Sequence, residues 1–160
     1  MDYTIQKLNT DTFKLIENLR GHIKEDEDFI ERCKRVQDKK DDCYAVFINN
    51  ECIADVTVTY KSEDKAATVE NQRAYLSGLF VKEDYRNKKI ATVLIKHLIE
   101  QLSVNGYKEL SVLVDSENAA ACSLYSKLGF EWEKTYKVDE WSFDLLIYRI
   151  NKFGAIYNSY

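Results

Sequence analysis

Between residues 74 and 130 the chain twice runs an apolar strand pattern into a polar turn and the turn into a helix. The residues at those turns are of types that do chemistry. The first turn, 82–89, reads Lys-Glu-Asp-Tyr-Arg-Asn-Lys-Lys and sets Arg86, Asn87, Lys88 and Lys89 directly ahead of a helical run opening Ile90-Ala91-Thr92. A helix N-terminus carries unsatisfied N–H groups and the positive end of the helix dipole, so a basic turn delivered onto it suits a phosphate. The second turn ends at Asn118, and the helix behind it carries Tyr125, a phenol able to act as an acid. Taken alone, a helical tyrosine is most often core filler.

These turns need elements to hold them. Residues 3–8 alternate like a strand, and Thr10 or Asp11 is placed to cap a helix on which Phe13, Ile16, Leu19 and Ile23 recur at helical spacing. A second helix is expected over 26–37 with Phe29, Ile30, Cys33 and Val36 inward. Residues 43–48 and 52–60 read as a hairpin about Asn49-Asn50, and 61–69 as a polar, mobile connection. The strand at 74–81 leads to a helix over 88–104, whose Ile90, Leu94, Leu98 and Leu102 form one stripe, with Ala91, Ile95 and Ile99 beside it. Asn105-Gly106 stops that helix. A strand at 110–114, a helix at 119–128 closed by Gly129-Phe130, and strands at 132–138 and 143–150 complete the order β-α-α-β-β-β-α-β-α-β-β. The expectation is one domain over 1–150 and a tail, 151–160, whose Phe153, Tyr157 and Tyr160 offer a homodimer contact.

Composition narrows the function classes. With 160 residues, 45% of them hydrophobic and 12% aromatic, the chain can bury a core and is not a disordered segment. No apolar run approaches the roughly 20 residues that span a bilayer, and the first residues lack the pattern of a secretory signal. The net charge of −4 gives nucleic-acid binding little support. Cys33, Cys43, Cys52 and Cys122 form no C-x-x-C pair and do not cluster with His22 or His97, so no metal site is expected and the thiols read as free in a reducing cytoplasm. His97 reads as a partly buried helical histidine, and His22 as a charge at a helix end. Acid is concentrated at Glu25, Asp26, Glu27, Asp28 and Glu31, and again at Asp38, Asp41 and Asp42. Such clusters are usually a solvated face; the functional alternative is a rim that attracts a cationic amine.

The detailed spelling carries a resemblance. Val81-x-x-x-Tyr85-Arg86-x-x-x-Ile90-Ala91 resembles the acetyl-coenzyme A signature of the GCN5-related N-acetyltransferase (GNAT) superfamily, Arg/Gln-x-x-Gly-x-Gly/Ala. Asn118-x-x-Ala121-x-x-Leu124-Tyr125-x-Lys127-x-Gly129-Phe130 resembles its second conserved block. The two blocks come in the expected order, and the strand and helix patterns extend the likeness over most of the chain. One position departs from the signature: Lys89 stands where it has glycine, and Asn87 where a further glycine is common. Lysine is expected to fit there with an ordinary backbone conformation and its side chain outward, adding charge beside Lys88 and Arg86.

The resemblance implies an α/β fold with a central twisted mixed sheet and helices on both faces, in which the strands carrying Leu79 and Val112 splay to admit a pantetheine arm. It implies acetyl-CoA as cosubstrate, held by Leu79, Phe80, Val81, Arg86, Asn87, Lys88, Lys89, Ile90, Ala91 and Thr92, with Asn118 and Tyr125 along the arm. An amine would attack the thioester directly, a backbone N–H from residues 79–81 would hold the oxyanion, and Tyr125 would protonate a thiolate of pKa about 8.5. A base is harder to place. The strand at 74–81 has Tyr75 and Ser77 but no carboxylate, which leaves Glu70, acting through a water, as the candidate, with Asp55 and Tyr75 as alternatives. The favoured acceptor is a primary amine of a small cationic molecule. A protein or peptide amine, or an acyl-CoA-binding module with little catalysis, are the other readings, and neither nucleic acid nor membrane is an expected partner.

Overall fold

The computed structural model describes residues 2–20 and 26–150. Seven strands are ordered β1-β2-β3-β4-β5-β7-β6: β1 Thr4–Leu8, β2 Asp41–Ile48, β3 Glu51–Thr59, β4 Arg73–Val81, β5 Glu109–Asp115, β6 Glu131–Val138 and β7 Trp141–Arg149. Among the described residues three α-helices accompany them, α1 Glu27–Gln37, α2 Ile90–Val104 and α3 Ala119–Leu128. The sheet is mixed, because β4 runs parallel to β5 while β1–β2, β2–β3, β5–β7 and β6–β7 are antiparallel. This is the expected fold class. The chain forms two compact units, one of residues up to Thr59 with Gly78–Ile95, the other of Tyr60–Ser77 with residues from Lys96 on.

In the first unit, β2 and β3 turn about Asn49 and Asn50, whose φ values of 51° and 66° match the primed turn of a two-residue hairpin. Register sets Cys43 opposite Thr57 and Cys52 opposite Phe47, so these two thiols do not face each other; all four cysteines are free. Leu8, Phe13, Ile16, Leu19, Phe29, Cys43, Ala45 and Cys52 make the buried core. The expected first helix is a correction. Phe13–Ile16 is a short 3-10 turn, opened by Asn9, whose Oδ1 accepts the Asp11 and Thr12 N–H groups at 2.9 and 3.0 Å. Neither Thr10 nor Asp11 caps it. Phe13, Ile16 and Leu19 are nonetheless all buried, since a spacing of three is the 3-10 period itself. Ile23, with His22, lies outside the described residues, as does the tail 151–160.

Helix α1 begins at Asp26, whose carboxylate accepts the Asp28 and Phe29 N–H groups at 2.9 and 3.2 Å. Phe29, Cys33 and Val36 share one stripe against the core, whereas Ile30, one step and about 100° round the helix, is exposed rather than inward. The acidic residues thus have structural work: Asp26 caps, Glu27 and Asp28 sit in the first turn, Asp41 takes Arg35 at 2.8 and 3.0 Å, and Asp42 pairs with Lys7. Glu25 lies outside the described residues.

In the second unit, β5 is flanked by β4 and β7, and Leu110, Val112, Leu145 and Ile147 are buried along them. The β4–β5 ladder runs from Arg73↔Glu109 to Leu76↔Val112, and Ser77 to Val81 lie past its end. The connection at 61–69, expected to be mobile, is tied down instead. Asp64 Oδ1 accepts the Ala66 N–H at 2.8 Å, Arg73 Nη1 donates to the Ala66 carbonyl at 2.6 Å, and the buried Ser111 hydroxyl donates to the Ala67 carbonyl at 2.6 Å. Helix α2 buries the predicted stripe of Ile90, Leu94, Leu98 and Leu102 and ends at Val104, two residues before Gly106 with its φ of 85°.

Candidate active site

The loop that leaves β4 is built from within the first unit. Gly78 interrupts the strand with a φ of +61°, the geometry of a bulge, and Leu79, Phe80 and Val81 follow half-buried. The Lys82 N–H donates to the Ile53 carbonyl at 2.8 Å, and Lys82 Nζ meets Glu51 at 2.5 Å. A short 3-10 turn, Glu83–Tyr85, then brings Arg86 back, its Nε donating to the Val81 carbonyl at 2.8 Å and its guanidinium over the Phe80 ring.

The backbone at Asn87 and Lys89 departs from the expectation for this turn. Both are left-handed, with φ of 62° and 64°. Lysine therefore adopts the glycine conformation rather than an ordinary one. A left-handed residue on either side of Lys88 curls the backbone in the way that gathers N–H groups into an anion-binding concavity. The Lys89 carbonyl accepts the Val93 N–H at 3.0 Å, which makes Lys89 the capping position of α2. Its side chain has no acceptor, and no acid stands in the first turn of α2. The first N–H groups of α2, at Ile90, Ala91 and Thr92, thus face an end with positive dipole and no carboxylate. Arg86, Asn87, Lys88 and Lys89 are exposed around it, while Ile90 is buried and anchors the helix. These groups fit a polyphosphate such as that of coenzyme A.

Behind this loop in the same unit sits an ionic frame that sequence reasoning did not find. Asp55, with no exposed surface, receives Arg20 Nη2 on one oxygen and Arg32 Nη2 on the other, the latter at 2.9 Å. Arg32 also reaches Thr57 Oγ1 at 3.1 Å. Burial disfavours the Arg32 charge, but Asp55 outweighs it and holds the guanidinium above its ordinary value. Arg20 Nη2 further donates to the Gly78 carbonyl. With both oxygens committed, Asp55 is poorly placed to act as a base.

The second unit carries the phenol. Asn118 caps α3, its Oδ1 accepting the Ala121 N–H at 3.0 Å, and Gly129 closes the helix at φ 103°, where an added Cβ would lie 3.3 Å from the Tyr148 ring. Tyr125 is buried, edge-on to Phe130 at 5.1 Å between centroids. Burial pushes its phenol well above the usual range, with Tyr75 adding to the effect. Tyr75 is raised in turn by burial and by Asp64 and Tyr136. The Tyr136 hydroxyl donates to Asp64 Oδ2 at 2.9 Å. Burial favours protonation of that carboxyl, but the Ala66 N–H and the Tyr136 hydroxyl outweigh it and keep the pKa low. Neither Asp64 nor Tyr136 was legible as part of this cluster, since 72 residues separate them. Glu70 stands exposed on the turn entering β4, three residues before the strand and eight before Gly78. No group of His, Cys, Asp and Glu among the described residues could hold a metal ion, and no helix among them is long and apolar enough to cross a membrane.

The first unit thus offers a strand end, a left-handed basic turn and a helix start with no acid in its first turn, and the second a capped helix bearing a buried phenol. The family model described as Acetyltransferase (GNAT) family matches residues 4–130, and the chain belongs to that family. Relatives include N-alpha-acetyltransferase MAK3 of Arabidopsis thaliana, 30% identical over 88 residues, covering 55% of this chain and 44% of that protein. Another is the [ribosomal protein bS18]-alanine N-acetyltransferase of Escherichia coli, 39% identical over 57 residues, covering 36% and 38%. The chain thus spans less than half the length of these relatives. Among solved structures, the Escherichia coli ribosomal-protein-S18-alanine N-acetyltransferase superposes with a TM-score of 0.73 at 21% identity, over 96% of this chain and 97% of that one. Arabidopsis thaliana NAA60 in complex with acetyl-CoA gives 0.69 at 19% identity, over 94% and 99%. At these identities the superpositions speak for the fold.

Proposed function

We propose that the protein is an acetyl-CoA-dependent N-acetyltransferase whose acceptor is the α-amine of a peptide or protein. The observation that carries the reading is the left-handed turn at Asn87 and Lys89, opening onto an α2 start without a carboxylate. The backbone from Arg86 to Thr92 holds the phosphates, with Arg86, Lys88 and Lys89 adding charge. Residues 79–81 offer backbone donors to the thioester end. In the transfer, the neutral amine nitrogen bonds to the acetyl carbon and sheds a proton to solvent as it becomes an amide. The carbon–sulfur bond breaks, and the thiolate leaves as the thiol after taking a proton from a donor that solvent then reprotonates. Tyr125 supplies that proton, since its raised pKa keeps the phenol protonated at working pH.

The acceptor class follows from the missing base. An alkylamine of pKa about 10.4 needs a strong base before it attacks, whereas an α-amine of about 7.7–8.0 is partly neutral near pH 7. β4 supplies no carboxylate, and Asp55 is held by two arginines. An α-amine needs neither, nor Glu70. One sequence relative is named an N-alpha-acetyltransferase and another a ribosomal protein bS18-alanine N-acetyltransferase, in line with this choice. Of the acidic residues that would favour a small cation, Asp26 is taken up in capping and Asp41 and Asp42 in ion pairs.

Thiol release from acetyl-CoA tests the reading. Peptides with free N-termini, the same peptides N-terminally blocked but bearing lysine, and spermidine form the panel. Turnover confined to free N-termini is expected. Turnover with spermidine or blocked lysine peptides alone would overturn the acceptor class, and silence across the panel despite acetyl-CoA binding would favour a binding module.

A further inference from the structure

We propose that Arg20 is a positioning residue for acyl transfer, fixing and polarising the Gly78–Leu79 peptide so that the Leu79 N–H is presented as the oxyanion donor. This rests on the N-acetyltransferase reading and deepens it.

The argument starts from one peptide plane. Gly78 sits inside β4 at φ +61°, so the strand pattern breaks there and the following peptide is turned out of its ordinary direction. Something must hold that peptide. The Gly78 carbonyl accepts from Arg20 Nη2, a bond between segments 58 residues apart. In a planar trans peptide the carbonyl and the N–H point opposite ways. Pinning the Gly78 oxygen on the Arg20 side therefore aims the Leu79 hydrogen to the other side. A hydrogen bond from a cation is stronger than a neutral one, and bonds in a chain polarise each other, so the charge on Arg20 also makes that amide a better donor.

The guanidinium is itself held. Its Nη2 meets Asp55, which is buried and whose second oxygen is taken by Arg32. Its Cζ lies 5.2 Å from the centre of the Phe80 ring, two residues beyond Gly78. Arg20 Nε is buried with no hydrogen-bond partner among the described residues. An orphaned buried donor is a cost that calls for a reason. Serving Gly78 and Asp55 with the same terminal nitrogen supplies one. Arg32 shares Asp55 but has no bond to Gly78, which makes it the natural control.

The test combines kinetics with isotope-edited infrared spectra of [1-13C]acetyl-CoA bound to the intact chain, in wild type, Arg20→Lys, Arg20→Met, Arg20→Ala and Arg32→Met. For the Arg20 variants, kcat is expected to fall about ten- to a hundredfold, less than or equal to the loss of a direct oxyanion donor, while KM for acetyl-CoA changes little. The thioester carbonyl band, shifted to lower frequency on wild-type protein, moves back toward its position in water. Ethylguanidinium restores part of kcat to Arg20→Ala. Arg32→Met lowers the melting temperature and shifts band and kcat less than the Arg20 variants do. Arg20 variants that keep the wild-type band and kcat would overturn the proposal, and so would an Arg32→Met variant that loses both to the same degree. A wild-type protein that binds no acetyl-CoA would instead bring down the transferase reading, and this inference with it.

Discussion

The chain contains two strand–turn–helix passages of similar build, and their helix starts are finished in opposite ways. At α3, Asn118 supplies an oxygen to the Ala121 N–H, and Asp115 closes the turn by accepting from Glu117 at 2.9 Å. That helix end satisfies itself. At α2, the capping position is a lysine, which has no side-chain oxygen to offer, while neither helix has an acid in its first turn. The difference teaches which of the two helix ends could take an anion. A helix end that meets its own needs holds a side chain in place, here Tyr125; an end that does not is open to an anion.

The largest effect should come from the side chain that the finished helix holds. Tyr125→Phe is expected to lower kcat about a hundredfold or more, in the range of a general acid, with acetyl-CoA affinity little changed in titration. Because burial raises this phenol, the wild-type pH profile should carry no alkaline limb from it up to about pH 10, the ordinary tyrosine value.

Finishing the open end should erase the contrast. Lys89→Asp gives α2 a capping carboxylate, which should stabilise the free protein by about 1 kcal/mol and weaken acetyl-CoA at least about tenfold by competing with phosphate. Chemical denaturation and titration read the two effects. Unfinishing the closed end is the reverse experiment. Asn118→Ala should cost about 1 kcal/mol in denaturation, as a lost cap does. The smallest effect belongs to Lys89→Gly, which keeps the left-handed backbone and relieves its strain. A gain of up to about 1 kcal/mol is expected, with acetyl-CoA binding retained on backbone donors.

What the sequence disclosed follows the range of the forces involved. The hairpin, α2, α3 and both turns are local, so Asn49-Asn50, the α2 stripe, the turn ending at Asn118 and the close of α3 at Gly129 were legible within a few residues. The 3-10 turn at Phe13–Ile16 was misjudged because a spacing of three suits both helix types, and the Asn9 side chain decided between them. Ile30 is apolar, but its angle on α1 turns it from the core. Lys89 shows that a side chain does not report its own φ; the loop kept the glycine shape without the glycine. The pairings of Arg20 with Asp55 and of Asp64 with Tyr136 were beyond reach in a different sense, since the partners lie tens of residues apart and no periodicity links them, so Asp55, named only as an alternative base, was not seen as an arginine partner.

Isothermal titration of the folded chain with acetyl-CoA, beside coenzyme A and dephospho-coenzyme A, tests the central claim most directly. Micromolar binding of acetyl-CoA and coenzyme A, lost in Lys89→Asp and kept in Lys89→Gly, is the predicted result. No binding by wild-type protein, or binding indifferent to a carboxylate at the head of α2, would contradict the assignment of that helix end as the phosphate site.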